Sequence, residues 1–474
     1  MDHSRKAGQE AGRISGMKQN SPAREAAFAI LLAVERGQAH SDDLLRGDAV
    51  AALSAQDRNL ATALVFGVLR WQIALDARIR PLLKRPNAKL DPEVRIALRL
   101  GAFQLLFMDR IPAHAAIGES VELANAAGHR FASGMINAVM RKLATSVPAA
   151  PAHPELGAHP QWMVERWQRT FGEERTCAIC AHGQNQPAQS IRIADAERES
   201  ELACEGVRLA PGELLKNART VLNGNVSETE AFRAGRVRIQ DEGSQLVAEI
   251  AGAGTPNQPG AILDCCAAPG GKTLILAERN PQARIIACEI SPERLERMRL
   301  RFTPLDERII RHLADAAALA YEHEFDLVLA DVPCSGTGTL ARNPEIRHQL
   351  APEDLERQAA RQRAILASAL RAARPGGQVV YSTCSLEREE NEEVVAAVVR
   401  ENPNARILPM QDRIDEMNRR GILMAGAAEK LTIWVTPEGY LRLFPGVFGT
   451  DGFFVAAIGK SDEALHSGGS RSFA

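Results

Sequence analysis

Residues 261–273, AILDCCAAPGGKT, decide how this chain folds. Ala261 to Asp264 form a short apolar run ending in an acid, the pattern of a strand buried on both faces of a parallel sheet. A turn of small residues follows, in which Gly270 and Gly271 let the backbone approach a ligand closely. From Lys272 onward the sequence KTLILAER is helical. A strand, a small-residue turn and a helix in that order place a ligand at the carboxyl end of the strand.

Two nucleotide readings compete for this turn. A phosphate-binding loop needs the pattern G-x-x-x-x-G-K-[ST], and counting back from Gly271-Lys272-Thr273 puts its first glycine at position 266, where the chain has Cys266. The other reading is a nucleoside held by its sugar. The next strand, Ile285 to Glu289, ends in a carboxylate, and a carboxylate there accepts hydrogen bonds from ribose hydroxyls. Taken alone, Glu289 is equally well a solvated acid at a strand end.

At 474 residues the chain is long enough for two or three domains with buried cores. No apolar run approaches the roughly eighteen residues of a membrane span, and the first twenty lack the apolar centre of a signal peptide. The expectation is a cytoplasmic protein with no membrane partner. Eight cysteines without framework spacing read as free thiols in a reducing compartment. Cys177 and Cys180 make a single C-x-x-C with no second pair beside it, so no metal is expected. The formal net charge is -2, yet residues 21–146 hold sixteen Arg and Lys against twelve Asp and Glu. Much of that surplus falls in 78–85, RIRPLLKR, which fits a solvated face as well as an RNA-binding one.

Along the chain, residues 1–20 read as a flexible tail and 21–146 as an all-helical domain. Leu60, Leu64, Val68, Trp71 and Leu75 recur at helical spacing, as do Phe131, Met135, Val139 and Leu143. Asp91 before Pro92 marks a helix start. Residues 147–159 are rich in Pro and Ala and read as a linker. A small α/β connecting unit is expected over 160–235, with Trp162, Val164 and Trp167 of its first helix packed on it. From 236 to 460 strands and helices alternate as in a doubly wound parallel sheet, closing with strand-like segments near 431–435, 440–444 and 452–458. Residues 461–474 form a polar tail.

Within that sheet, the strand 325–331 delivers Asp331-Val-Pro-Cys334 to the ligand edge, with Pro333 stiffening the loop. The following strand, 378–381, delivers Ser382-Thr-Cys384-Ser385 to the same edge. Either cysteine alone reads equally as structure or chemistry; two at successive strand ends, one beside an aspartate, read as chemistry. A thiolate is a good nucleophile and leaving group near neutral pH when positive charge lowers its pKa, and Lys272 is the nearest candidate by topology. Four of the other six cysteines fall in strands or helices and read as small core residues.

Four motifs together carry a resemblance: CAAPGGKT at 266–273, DVPCSGTG at 331–338, STCS at 382–385 and DGFF at 451–454. With them, the region 236–460 resembles the RNA cytosine-C5 methyltransferases that use S-adenosylmethionine and two cysteines. The helical front end is similar to the RNA-binding domain of the antitermination factor NusB, on Asp57-Arg58, Gly67-Val-Leu-Arg70 and Met135-Ile-Asn-Ala-Val-Met-Arg141. Together they point to the branch of the family that acts on small-subunit ribosomal RNA. The implied fold is a Rossmann-like methyltransferase domain preceded by an all-α NusB-like domain and the small α/β unit. The implied partner is 16S ribosomal RNA, unassembled or partly assembled, acted on by a monomer.

Carried over position by position, the resemblance implies that Cys266, Ala267, Ala268, Pro269, Gly270, Gly271 and Lys272 wrap the methionine part of the cofactor. Glu289 would hold its ribose and Asp315 would face its adenine, with Arg294 and Pro333 also bordering it. Asp331 would stand between cofactor and target base, Cys384 would be the nucleophile and Cys334 would resolve the adduct, while Lys272 and Pro333 help shape the base pocket. Four positions depart from the family pattern: Cys265 for a plain apolar residue, Glu289 for the commoner Asp, Val332 for Ala, and Gly446 where a His is common. Two other functions remain open at this stage. One is the same chemistry on transfer RNA or on another ribosomal cytosine. The other is a non-catalytic assembly factor with an idle methyltransferase fold, which retention of both thiols, Lys272 and Asp331 disfavours.

Overall fold

The computed structural model describes residues 21–145, 152–253, 259–302 and 307–461. The tail expected at 1–20, the tail beyond 461 and the beginning of the expected linker lie outside them. The chain forms two compact units, one running to Glu173 and including Asn343–Glu345, the other made of Glu174–Arg342 and Ile346 onward.

In the first unit, five helices do most of the packing: Pro22–Glu35, Ala55–Ile79, Pro92–Phe107, Ala113–Ala126 and Ser133–Thr145. Proline near the start of two of them costs no hydrogen bond, because the first N–H groups of a helix have no partner inside it. Leu64, Val68 and Leu75 are buried as their spacing predicts, with Leu60 and Trp71 packed at the margin of the same core. Val139 and Leu143 are buried too, but Phe131 is 78% exposed, because it lies in the 3-10 turn Arg130–Ala132 ahead of the last helix. Buried Arg99 ties three helices together, donating to both oxygens of Asp76 at 2.8 and 2.7 Å and to Glu35 at 2.9 Å. By length and composition, Ala55–Leu82 could cross a membrane, against the sequence expectation. Leu64, Val65, Val68, Leu69, Leu75 and Ile79 of this span are buried in the core just described. In the helix Gln161–Phe171, Val164 and Trp167 are buried and Trp162 only partly so.

The second unit contains two sheets. The smaller is antiparallel and joins β1 (Ser190–Arg192), β2 (Arg208–Pro211), β3 (Ala218–Asn223) and β4 (Arg238–Ile239) in the order β2-β3-β1-β4. It thus runs four residues past the boundary expected at 235. Ile191, Leu202, Val207, Val226 and Val237 form its own core.

The larger sheet is built from β5 (Ala261–Asp264), β6 (Arg284–Glu289), β7 (Ile309–Leu313), β8 (Phe325–Asp331), β9 (Ala373–Thr383), β10 (Ala405–Leu408), β11 (Leu441–Leu443) and β12 (Phe453–Lys460). Its order is β7-β6-β5-β8-β9-β12-β10, with β11 paired to β12. The pairs among β5 to β9 are parallel and those of β12 antiparallel. This is the Rossmann-like arrangement, with an antiparallel edge. The chain winds outward from β5 through β6 to β7, then restarts at β8 on the other side. A crevice opens where the direction reverses, at the carboxyl ends of β5 and β8. Of the three closing segments expected as strands, two are β11 and β12. Residues 431–435 instead finish the helix Ala427–Thr432 and a turn, because a left-handed Gly426 starts a helix that swallows Leu431 into the core.

Candidate active site

The turn after β5 takes its shape from Gly270, whose φ is +98°. A Cβ there would lie 2.9 Å from the ring of Phe302, so both backbone angle and space call for glycine. Asp264, at the end of β5, is 1% exposed, and its Oδ2 accepts a hydrogen bond from Thr273 Oγ1 at 2.7 Å. Burial pushes its carboxyl up to about 7, against the smaller downward pull of that hydroxyl.

A raised carboxyl has a consequence for stability. Since an unfolded Asp titrates near about 4, the folded protein keeps a proton between about 4 and 7 that the unfolded chain has lost, and stability falls as pH rises through that window. Asp264→Asn keeps an acceptor for Thr273 and removes the titration. The variant's stability relative to wild type is expected to climb between about pH 5 and about pH 7, by up to a few kcal/mol, and to level off above that, read as melting temperature. A difference that stays flat with pH would show that Asp264 carries no such burden.

The turns after β8 and β9 bring the two cysteines together, with Cys334 Sγ 3.3 Å from Cys384 Sγ. Their backbones are pressed against each other: Gly338 N–H donates to Cys384 O at 2.9 Å, and a Cβ on Gly338 would sit 2.7 Å from that same oxygen and 2.6 Å from Gly452 O. Gly338 O in turn accepts from Gly452 N–H at 2.8 Å, which is how the DGFF motif supports the site. The hydrogen bond with Cys384, and then burial, push the Cys334 thiol well up.

Asp331, at the end of β8, receives Lys272 Nζ at 2.7 Å on Oδ2 and Ser382 Oγ at 2.6 Å on Oδ1. Burial works against the charge on Lys272, but the facing carboxylate outweighs it and the ammonium pKa is raised. The pair therefore presents a fixed cation and anion side by side.

A cleft of about 350 Å³ opens at this edge. Of the residues expected at the site, it is lined by Cys266, Ala268, Glu289, Arg294, Asp315, Asp331, Pro333, Cys334 and Cys384. A second pocket of about 100 Å³ shares Cys266, Ala268 and Asp331 with it and adds Ala267, Pro269, Gly271 and Lys272. Gly270 lines neither and acts through the backbone. Sequence reasoning missed Ile290, Arg361 and Ile365 in the cleft, and Gln240 and Ser244 in the smaller pocket. Arg361 and Ile365 stand one turn apart on the helix Pro352–Ala372, a spacing that gives them a common face but no mark of a site.

The departures can now be placed. Cys265 is buried in the core beneath the cleft, and Val332 is buried at its wall. At Gly446, with φ +84°, a Cβ would stand 2.8 Å from Nδ1 of His182, so an imidazole from the helix Glu173–Gln184 already fills the space a side chain would need. Among the cysteines read as core, Cys180 and Cys288 are buried, but Cys177 is only partly so and Cys204 is exposed at the end of its helix.

Comparison with known proteins places this geometry in context. The family model described as 16S rRNA methyltransferase RsmB/F matches residues 253–459, that of the NusB family residues 21–145, and that of a ferredoxin-like domain of RsmF/B-like methyltransferases residues 159–210. The chain is 34% identical over 464 residues to a probable ribosomal RNA small subunit methyltransferase B of Bacillus subtilis, covering 94% of this chain and 100% of that one. To the ribosomal RNA small subunit methyltransferase B of Xanthomonas campestris it is 32% identical over 453 residues, covering 92% and 97%. The crystal structure of PH0851 superposes with a TM-score of 0.75 over 93% of this chain and 99% of that one, at 24% identity, a likeness of fold.

Proposed function

Because this chain belongs to the RsmB/F family of 16S ribosomal RNA methyltransferases, we propose that it methylates C5 of a cytosine in that RNA with S-adenosylmethionine, through a transient bond between Cys384 and C6. The observation that carries the reading is the pair of sulfurs 3.3 Å apart beside the Lys272–Asp331 pair, on the wall of the larger cleft.

The cleft's chemistry fits the cofactor. Glu289 and Asp315 offer acceptors for ribose hydroxyls and an exocyclic amine, while Ile290, Ala316 and Ile365 offer apolar walls for a flat ring. When bound, S-adenosylmethionine supplies an electrophilic methyl group.

The protein's task is to make a poor carbon nucleophile reactive. The Cys384 thiol gives its proton to the Asp331 carboxylate, which passes it to N3, as the sulfur adds to C6 of the cytosine, so that electron density collects at C5. Once C5 carries the methyl group, Cys334 as thiolate takes the C5 proton and later gives it to solvent, the ring's double bond re-forms, the bond from C6 to Cys384 breaks, and the N3 proton returns through Asp331 to the departing sulfur. Lys272 holds Asp331 in place through their ion pair. The target base must leave its stack to reach these groups, which favours a loop or a partly assembled subunit as substrate.

Bisulfite sequencing of small-subunit RNA from cells with and without the gene tests the proposal. One cytosine is expected to lose its protection in the deletion strain. Unchanged small-subunit RNA with a lost site in transfer RNA would move the substrate; the same protected cytosines in both strains, in all RNAs, would leave an assembly factor.

A further inference from the structure

Glu390 is assigned no part in the chemistry above, yet it is completely buried. Its Oε1 accepts from the backbone N–H of Ser335 at 2.8 Å and from Gln362 Nε2 at 2.9 Å. Its Oε2 accepts from the hydroxyls of Ser335 and Ser385. Ser335 follows Cys334, and Ser385 follows Cys384. All four donors are neutral, and three of the four bonds come from the two cysteine turns, with the fourth from Gln362 on the helix Pro352–Ala372.

The residues around it extend the same clamp. Tyr381 donates to the carbonyl of Glu390 at 2.5 Å, Asn391 Nδ2 donates to Ser385 O at 2.9 Å, and Gln362 Nε2 also reaches Pro333 O at 2.9 Å. A buried carboxylate whose partners are all neutral is a costly way to fill space, and an apolar side chain would fill it more cheaply. What only the carboxylate does is accept four directed bonds at once. In the proposed reaction the two sulfurs serve adjacent ring carbons, C6 and C5, so their separation is the quantity that matters.

We infer that Glu390 is a positioning residue, which locks the turn of Cys334 to the turn of Cys384 and so holds the sulfurs at the spacing a single pyrimidine ring needs. The inference rests on the proposed roles of the two cysteines, but the spacing can be read without them. Diamide removes two electrons and two protons from a pair of thiols and joins the sulfurs, and peptide mass mapping counts the Cys334–Cys384 disulfide in the free, full-length protein.

Glu390→Ala is expected to form that disulfide at least about tenfold more slowly than wild type, because the loosened turns lower the effective concentration of one sulfur near the other. Single-turnover methyl transfer should fall about 100-fold, the cost of an ångström-scale misplacement, while calorimetry finds cofactor affinity within about twofold of wild type. Glu390→Gln should recover most of both losses, since its carbonyl still serves Ser335 N–H and Gln362 and the two hydroxyls can turn to accept from its amide. If Glu390→Ala does not fold, the paired Ser335→Ala and Ser385→Ala variant, which cuts two of the four bonds, carries the same expectation. A folded Glu390→Ala protein that oxidises and turns over like wild type overturns the inference. Slow oxidation in the variant alongside a wild type that makes no 5-methylcytosine would leave the clamp standing and remove the proposed reaction instead.

Discussion

Cys384→Ala is expected to lose methyl transfer by roughly four orders of magnitude or more, as loss of a covalent nucleophile does, whereas Cys334→Ala is expected to accumulate a protein–RNA adduct. The two sulfurs are 3.3 Å apart, so distance alone does not tell nucleophile from base. What tells them apart is which variant strands the bond to C6. The hydrogen bond with Cys384 and burial push the Cys334 thiol well up, so its thiolate, once formed, is a strong base for the C5 proton. Without Cys334 the addition to C6 and the methylation of C5 can still occur, but nothing removes the C5 proton, and the bond to Cys384 persists. The adduct should survive denaturing electrophoresis and carry label from the cofactor's methyl group. An adduct that forms with Cys384→Ala and not with Cys334→Ala would exchange the two roles.

How far the sequence reached is clearest at the strand ends. The order of strand, glycine turn and helix at 261–279 is local, and local order is what periodicity and turn chemistry encode. The convergence of Cys334 and Cys384, fifty residues apart, was legible only because both follow strands of one parallel sheet, whose carboxyl ends share an edge. Nothing local marks Glu390. It sits in REENEE, which reads as an exposed acidic helix start, and its burial depends on turns formed by residues 335 and 385. Leu431 to Val435 show the opposite failure. LTIWV has the composition of a strand, but the chain enters it from a helix already docked on the core, and packing overrides propensity. Phe131 kept the helical spacing of its stripe and is exposed all the same, because the helix begins at Ser133.

Asp331→Asn tests the other half of the chemistry, and a loss in kcat of about 10²- to 10⁴-fold is expected, the usual contribution of a positioned acid or base. Asp331 lines both the large cleft and the small pocket, and it is the one expected catalytic group to do so. An amide of the same shape keeps one acceptor for Ser382 or for Lys272 but not the charge, and it cannot deliver a proton to N3 and take it back. A second effect follows from Lys272. Burial depresses the ammonium, and the Asp331 carboxylate at 2.7 Å is what outweighs it, so removing that charge lets the lysine pKa fall. The basic limb of the residual pH–rate profile should therefore move to lower pH in the variant. Cofactor affinity should change by less than about tenfold, because the loss is of transition-state activation rather than of uniform binding. A variant whose kcat stays within about threefold of wild type, with an unmoved basic limb, would show that the Lys272–Asp331 pair only braces the two turns, and that Cys384 meets a base activated by some other group.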